Sequence, residues 1–327
     1  VSDRLWALYD PTRSKQTQAF SSEEIAEIAR RFDDIMAIDW ADAEAGIYPK
    51  SLLFDAPWTE FMQHYVKLWL DMPQVWERRK QGLFQVLPAT EPNYRYPKYY
   101  LQNFHHQTDG YLSDYSADLY DLQVEILFSG TADAMRRRVL APLKQGVADA
   151  AIASTPDAYR LLDVACGTGR TLQLLRQTFP TAGLYGVDLS PAYLRKANQR
   201  LSAIAGELPQ LAQANGEELP YADQYFHGLT CVFLFHELPA SARQAVINEA
   251  FRVLQPGGTC VICDSMQLDD SPVLQTAMEN FPTMFHEPYY RDYIRDDFGD
   301  RLQQAGFILH HQTTHLFSKY WVAQRPH

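Results

Sequence analysis

The chain has 327 residues, 46% of them hydrophobic, with 29 Lys and Arg against 40 Asp and Glu for a formal net charge of −11. That length suits one large or two modest domains, and the acidic balance argues against duplex nucleic acid, whose phosphates need a basic face. No apolar run long enough to span a membrane occurs, and Val1-Ser-Asp-Arg-Leu-Trp6 lacks a basic-then-apolar leader pattern, so a cytoplasmic protein without a membrane span is expected.

The first twenty residues are polar. Ser21 and Glu24 then have the spacing of a capping box, and Ile25, Ile28, Phe32 and Ile35 follow at helical spacing, predicting a helix to about Ala37. Residues 41–57, with Gly46, Pro49 and Pro57, read as a connection. Phe61, Tyr65, Leu68 and Trp69 predict a second helix ending before Pro73, with a third over 74–85. Residues 86–121 carry Pro88, Pro92 and Pro97 and tyrosines at 94, 96, 99, 100, 111, 115 and 120, around a His105-His106-Gln107-Thr108-Asp109 core. This segment reads either as an aromatic loop packed on the body of the protein or as the wall of a substrate pocket. No metal site is expected there, because adjacent histidines rarely face one ion. Helices follow from 117 and from 132, the latter with Arg136, Arg137 and Arg138 on an expected solvated face. No alternating strand pattern precedes residue 150. Residues 1–150 are therefore expected to be a helical region, led by Ser154-Thr155-Pro156 into a second unit over 151–327.

From residue 160 apolar strand-like and helical runs alternate. Strands are predicted at 160–165, 183–188, 210–215, 228–235 and 259–264, and helices at 170–179, 191–204, 241–254 and about 291–305. Ser241 and Gln244 suggest a capping box, and Pro256-Gly257-Gly258 stops the preceding helix. Residues 307–317 and 318–324 read as a closing antiparallel pair. Such alternation demands an α/β, doubly wound, mostly parallel sheet of seven strands with helices on both faces. Cysteines stand at 166, 231, 260 and 263, in or beside these strands. Cys260 and Cys263 are three apart on one strand and so point to opposite faces, which excludes a shared disulfide or metal.

The most informative stretch is Leu161-Leu-Asp163-Val-Ala165-Cys166-Gly167-Thr168-Gly169, an apolar strand running into a glycine turn and a helix. Such a junction aims backbone N–H groups and the positive end of a helix at an anionic ligand group. The second strand ends at Asp188, followed by Leu189, Ser190 as N-cap and Pro191 at the first helical position. An acid there can accept both ribose hydroxyls. A dinucleotide site wants G-x-G-x-x-G, but Ala165 and Arg170 stand where its first and third glycines belong.

The Asp163–Gly169 pattern, with Asp188 and the later segments, resembles the class I S-adenosylmethionine-dependent methyltransferases over roughly residues 158–325. Within them it is similar to a small-molecule branch that includes the ubiquinone/menaquinone C-methyltransferases, which can show a His-Glu-Leu like His236-Glu237-Leu238. The resemblance implies a Rossmann-like sheet that binds S-adenosylmethionine and releases S-adenosylhomocysteine. It assigns Ala165, Cys166, Gly167, Thr168 and Gly169 to the amino-acid tail, Asp163 to its ammonium, and Asp188 with Leu189 to the ribose. Asn215, Gly216 and Glu217 fall at the adenine edge, where the family usually has Asp in place of Asn215, and Phe233 at the end of the fourth strand flanks the methyl group. His227 departs from a frequent family Asp and reads as structural. His236 reads either as a base or acceptor-orienting group or as a hydrogen-bonded structural residue. Tyr111 and His106 are further catalytic candidates, followed by His105 and His286. The expected activity is methyl transfer to oxygen or carbon of a small, largely apolar or aromatic partner. A protein or RNA methyltransferase and a non-catalytic cofactor-binding protein are the alternatives.

Overall fold

The computed structural model describes residues 20–89, 96–149 and 159–327. The polar N-terminal stretch, Pro92, Tyr94 and the Ser154–Pro156 lead-in lie outside these residues. Helix α1 (Ser22–Glu44) opens with the expected capping box: Glu24 N–H donates to Ser21 Oγ at 3.1 Å, and Ser21 N–H to Glu24 Oε2 at 2.7 Å. It runs past Ala37 because Arg31, Ile35, Asp39 and Ala43 continue a buried stripe four residues apart. Helix α2 (Trp58–Gln81) continues through Pro73, where a break was predicted. Pro73 is on the exposed side, where water can take the carbonyl its missing N–H leaves free. Helices α3 (Asp114–Leu127), α4 (Ala132–Arg137) and α5 (Leu140–Asp149) follow.

The second half alternates as predicted: β1 (Arg160–Val164), α6 (Arg170–Thr178), β2 (Gly183–Asp188), α7 (Pro191–Ser202), β3 (Gln210–Gln213), β4 (Phe226–Val232), α8 (Ala240–Val253) and β5 (Leu254–Ser265). The helix predicted at 291–305 is replaced by short pieces, α10 (Tyr290–Tyr293) and α11 (Phe298–Gln304), after α9 (Gln275–Met284); β6 (Ile308–His315) and β7 (Ser318–Gln324) close the chain. Helix α8 begins a residue before Ser241, after Pro239 and without a side-chain cap, so the Ser241–Gln244 capping box does not form. The sheet order is β3-β2-β1-β4-β5-β7-β6, parallel except that β7 runs antiparallel to both neighbours. Strand order reverses between β1 and β4, and the crevice at their carboxyl ends is where open α/β sheets bind ligands. Cores fill both faces, and Cys260 and Cys263 sit on opposite ones. All four cysteines are buried and free. Helix α5, N-terminal to the expected boundary at 150, lies on the sheet. A Cβ on Gly146 would stand 2.3 Å from Thr259 Oγ1, and one on Gly228 2.8 Å from Leu143 Cδ1.

The arginine triplet is not a solvated face. Arg136 pairs with Asp133, Arg138 with Asp42, and Arg137 binds Asp39 through Nε and Nη2, with Tyr48 Oη also donating to Asp39 Oδ1 at 2.6 Å. Asp39 and Asp42 on α1 and Asp133 within α4 neutralise these guanidiniums, which have little exposure. Removing one partner of such a pair strands the other charge. Arg137→Ala is therefore expected to cost about 3–5 kcal/mol in denaturant unfolding, with part of that loss recovered in the Asp39→Ala/Arg137→Ala double variant.

Candidate functional site

The turn after β1 requires left-handed backbone three times: Ala165 (φ 57°), Gly167 (φ 52°) and Gly169 (φ 78°). Cys166 N–H donates to Val187 O, and Gly169 N–H to Cys166 O, each at 2.9 Å. Asp188 fastens the turn from the next strand. Its Oδ2 accepts from Gly167 N–H at 2.9 Å and its Oδ1 from Ser190 N–H at 2.8 Å. A Cβ on Gly169 would lie 2.9 Å from Ala197 Cβ, so this glycine lets α6 and α7 close together. A Cβ on Gly167 would meet only Tyr193 Cδ1, at 3.9 Å. The space above Gly167 is a cavity.

That cavity holds about 810 Å³ and lies at the carboxyl ends of β1, β2 and β4. Ala165, Gly167, Asp188, Leu189, Asn215, Gly216 and Phe233, of the residues assigned to the cofactor, line it. Asp163, Cys166, Thr168, Gly169 and Glu217 do not. Thr168 turns its hydroxyl to Asp121 Oδ1 at 2.9 Å, and Cys166 is buried against Gly186. Glu217 accepts from Tyr99 Oη at 2.5 Å and from Asn215 Nδ2 at 3.1 Å. Asn215 Oδ1 already accepts from Glu217 N–H at 3.0 Å, leaving one lone pair for an adenine amino group. Asp163 accepts from Thr230 Oγ1 at 2.7 Å between β1 and β4. Burial, with Asp188 nearby, pushes its carboxyl up to about 7. Burial also raises Asp188, to about 6, against the two backbone donors.

The tyrosine-rich segment does form a pocket wall: Tyr99, Tyr100, Phe104, Tyr111 and Tyr120 close the cavity opposite the sheet. Tyr111 Oη donates to Glu237 Oε1, and burial followed by Glu237 holds its phenol neutral, well above the ordinary range. Ser190 Oγ, besides capping α7, donates to the Tyr111 carbonyl and ties this wall to the cofactor turn.

A second cavity of about 1110 Å³ abuts the first; Tyr120, Phe233 and Glu237 line both. Its walls are apolar, among them Leu274, Met278, Phe281 and Phe285, and its polar end is formed by His105, His236 and Glu237. His236 sits in a 3₁₀ turn (Phe235–Glu237) after β4, its Nδ1 2.6 Å from Asp264 Oδ1, while Asp264 Oδ2 accepts from Phe235 N–H. Burial pulls its ring down, but Asp264, Glu287 and Glu237 outweigh this and bring it up to about 9. His106 lines neither cavity: it packs beside Phe84 and His286, and burial lowers it to about 3. His286 stacks on Phe84 with ring centroids 4.1 Å apart. His227 Nδ1 accepts from Arg160 N–H at 3.0 Å, a structural contact. The sequence reading missed Asp264 and Glu287. Asp264 had a faint signal, an acid ending an otherwise apolar strand; Glu287 had none.

Residues 161–258 match a family model described as a methyltransferase domain. The chain is 32% identical over 152 residues to a ubiquinone/menaquinone biosynthesis C-methyltransferase of Desulfotalea psychrophila, covering 46% of this chain and 56% of that protein. It is 28% identical over 169 residues to a demethylmenaquinone methyltransferase of Lactobacillus johnsonii, covering 51% and 64%. A crystal structure of an S-adenosylmethionine-dependent methyltransferase from Aquifex aeolicus superposes with TM-score 0.42 at 18% identity, covering 58% of this chain and 92% of that one. The chain spans between half and two thirds of the length of these two relatives. Residues 161–258, in its sheet half, are similar to methyltransferase domains.

Because Asp163 is raised in the folded state, its contribution to stability is full below about pH 4 and is lost as pH rises through about 7. Asp163→Asn removes that loss. The variant's stability relative to wild type should improve between pH 4 and 7, by at most about 1.4 kcal/mol per pH unit, as read from thermal unfolding across that range.

Proposed function

We propose that the chain transfers the methyl group of S-adenosylmethionine to oxygen or carbon of a small, largely apolar or aromatic molecule. The observation that carries this reading is a pair of chambers with a common wall, one over a side-chain-free turn and one lined by Met and Phe side chains. The residues present fit the cofactor. Gly167 leaves room over the turn for an amino-acid tail, Asp188 offers a carboxylate beside it, and Asn215 and Gly216 lie along the rim expected to meet adenine. When bound, the cofactor supplies an electrophilic methyl group whose positive charge disperses as it is transferred.

The protein's own part is to align the acceptor and exclude water. Alignment of this kind is worth roughly 7–11 kcal/mol. Tyr100, Phe104, Tyr111 and Tyr120 form an aromatic wall of the first chamber, which limits the water reaching polar contacts inside it. At the polar end of the second chamber, Asp264 fixes the ring of His236, placing it to orient the acceptor's polar atom. One curated relative is named a ubiquinone/menaquinone biosynthesis C-methyltransferase and another a demethylmenaquinone methyltransferase, names that agree with a small quinone-type acceptor. The acidic net charge favours a small acceptor over RNA.

Calorimetry should show S-adenosylmethionine binding to the wild type and at least tenfold weaker binding to Gly167→Val, whose side chain fills the space over the turn. With methyl-labelled cofactor and a cell extract, label is expected in the low-mass, solvent-extractable fraction. Label in protein or RNA overturns the acceptor assignment, and absence of cofactor binding overturns the whole reading. Ribose hydroxyls donate to the ionised form of Asp188, and burial holds that group near 6. Affinity should therefore be flat above about pH 6 and fall below it by up to tenfold per unit, and Asp188→Asn should flatten that profile at a lower affinity.

A further inference from the structure

At the polar end of the second cavity four side chains with metal-binding atoms converge: His105, His236, Glu237 and Glu287, with one donor atom of each within 4.8 Å of all the others. They come from three separate stretches, the loop before α3, the turn after β4 and the segment before α10. Neither His106 nor Asp109, considered from the sequence, takes part. We propose that these four residues form a binding site for a divalent first-row transition-metal ion, facing the second cavity.

Glu287 is 2% exposed, and its Oε2 has no hydrogen-bond partner. Its nearest polar neighbour is His105 Nε2, which lies 2.8 Å from Oε1 as an ion pair. Leaving a buried carboxylate oxygen without a partner is costly, and a cation at the centre of the cluster, in place of the imidazole proton, would engage it. His236 supports the same reading. Its Nδ1 is held at 2.6 Å by Asp264, whose oxygens also accept from Phe235 N–H and Ser265 N–H. This leaves Nε2 as the nitrogen free to ligate, and a carboxylate behind the imidazole is the usual support for a metal-bound histidine. His105 is held in left-handed backbone (φ 52°), followed by His106 (φ 59°). A non-glycine residue is uncommon there.

The donor set names the class of ion. Two imidazoles and two carboxylates suit zinc, manganese or iron(II), whereas magnesium and calcium prefer all-oxygen sites. Ligands at about 2.0–2.2 Å from zinc would draw the four side chains slightly inward from their present spacing. His105, His236 and Glu237 line the second cavity, so an ion held there faces that chamber and can take an oxygen of its occupant as a further ligand. That role extends the methyl-transfer reading by favouring an oxygen-bearing acceptor, held through the ion; binding of the ion does not depend on that reading.

The test uses the full chain, stripped with a chelator and titrated calorimetrically with Zn²⁺, Mn²⁺ and Mg²⁺. One Zn²⁺ or Mn²⁺ per chain is expected, with Mg²⁺ at least a hundredfold weaker, and Co²⁺ should give visible d–d absorption bands. Glu287→Gln and His105→Ala should each weaken Zn²⁺ binding at least tenfold while circular dichroism stays unchanged. Their S-adenosylmethionine affinity, measured on the same samples, should move less than threefold. Absence of stoichiometric binding, or binding that both folded variants retain, overturns the site. Failure of the metal titration with cofactor binding intact removes only this site, and loss of cofactor binding in wild type removes only the methyl-transfer reading.

Discussion

The architecture of the first chamber depends on one carboxylate. Asp188 ends β2 and accepts one backbone N–H from the turn after β1 and another from the start of α7. This shared acceptor, with the Cys166 N–H bond to Val187 O, holds the glycine turn at a fixed spacing from the start of α7. Burial makes the bond expensive: the carboxyl is lifted toward 6 by its surroundings even with two donors attached. The site thus keeps a partly frustrated charge at the place where a polar ligand would relieve it, as binding sites often do.

What was legible in the sequence was local. The strand–turn–helix grammar around Gly167, the N-cap at Ser190 and the alternation from 160 onward rest on neighbours a few residues apart, and the sheet formed as read. The sequence and the structure part where distant partners decide the outcome. The arginines at 136–138 read as a solvated face because two of the acids that pair with them, Asp39 and Asp42, lie almost a hundred residues upstream. Pro73 reads as a helix end because its exposure on α2 is not visible in the residue itself. The hydrogen bond of Asp163 to Thr230, its register partner on β4, likewise exists only through strand pairing. The polar end of the second cavity was half visible: His236 stood out beside a strand end, whereas Asp264 and Glu287 became its neighbours only through sheet pairing and the fold of the segment before α10.

The helical region contributes more than a cover. Its arginines and acids form buried pairs with one another and with α6, where Arg170 binds Asp133 through Nε and Nη2. Its tyrosines supply one whole side of the first chamber. Ser190 joins the two, capping α7 with the same hydroxyl that holds the Tyr111 carbonyl. Cofactor turn and aromatic wall are therefore built as one unit.

Glu237 belongs to both chambers at once. On one side it accepts from Tyr111, and on the other it stands 3.7 Å from His105. A ligand that engages this carboxylate from one side would alter the partner it presents to the other. Any coupling that results is reciprocal: by whatever factor the first guest changes the hold on the second, the second changes the hold on the first. A single shared side chain thus gives the two chambers a route of communication that needs no movement of the sheet beneath them.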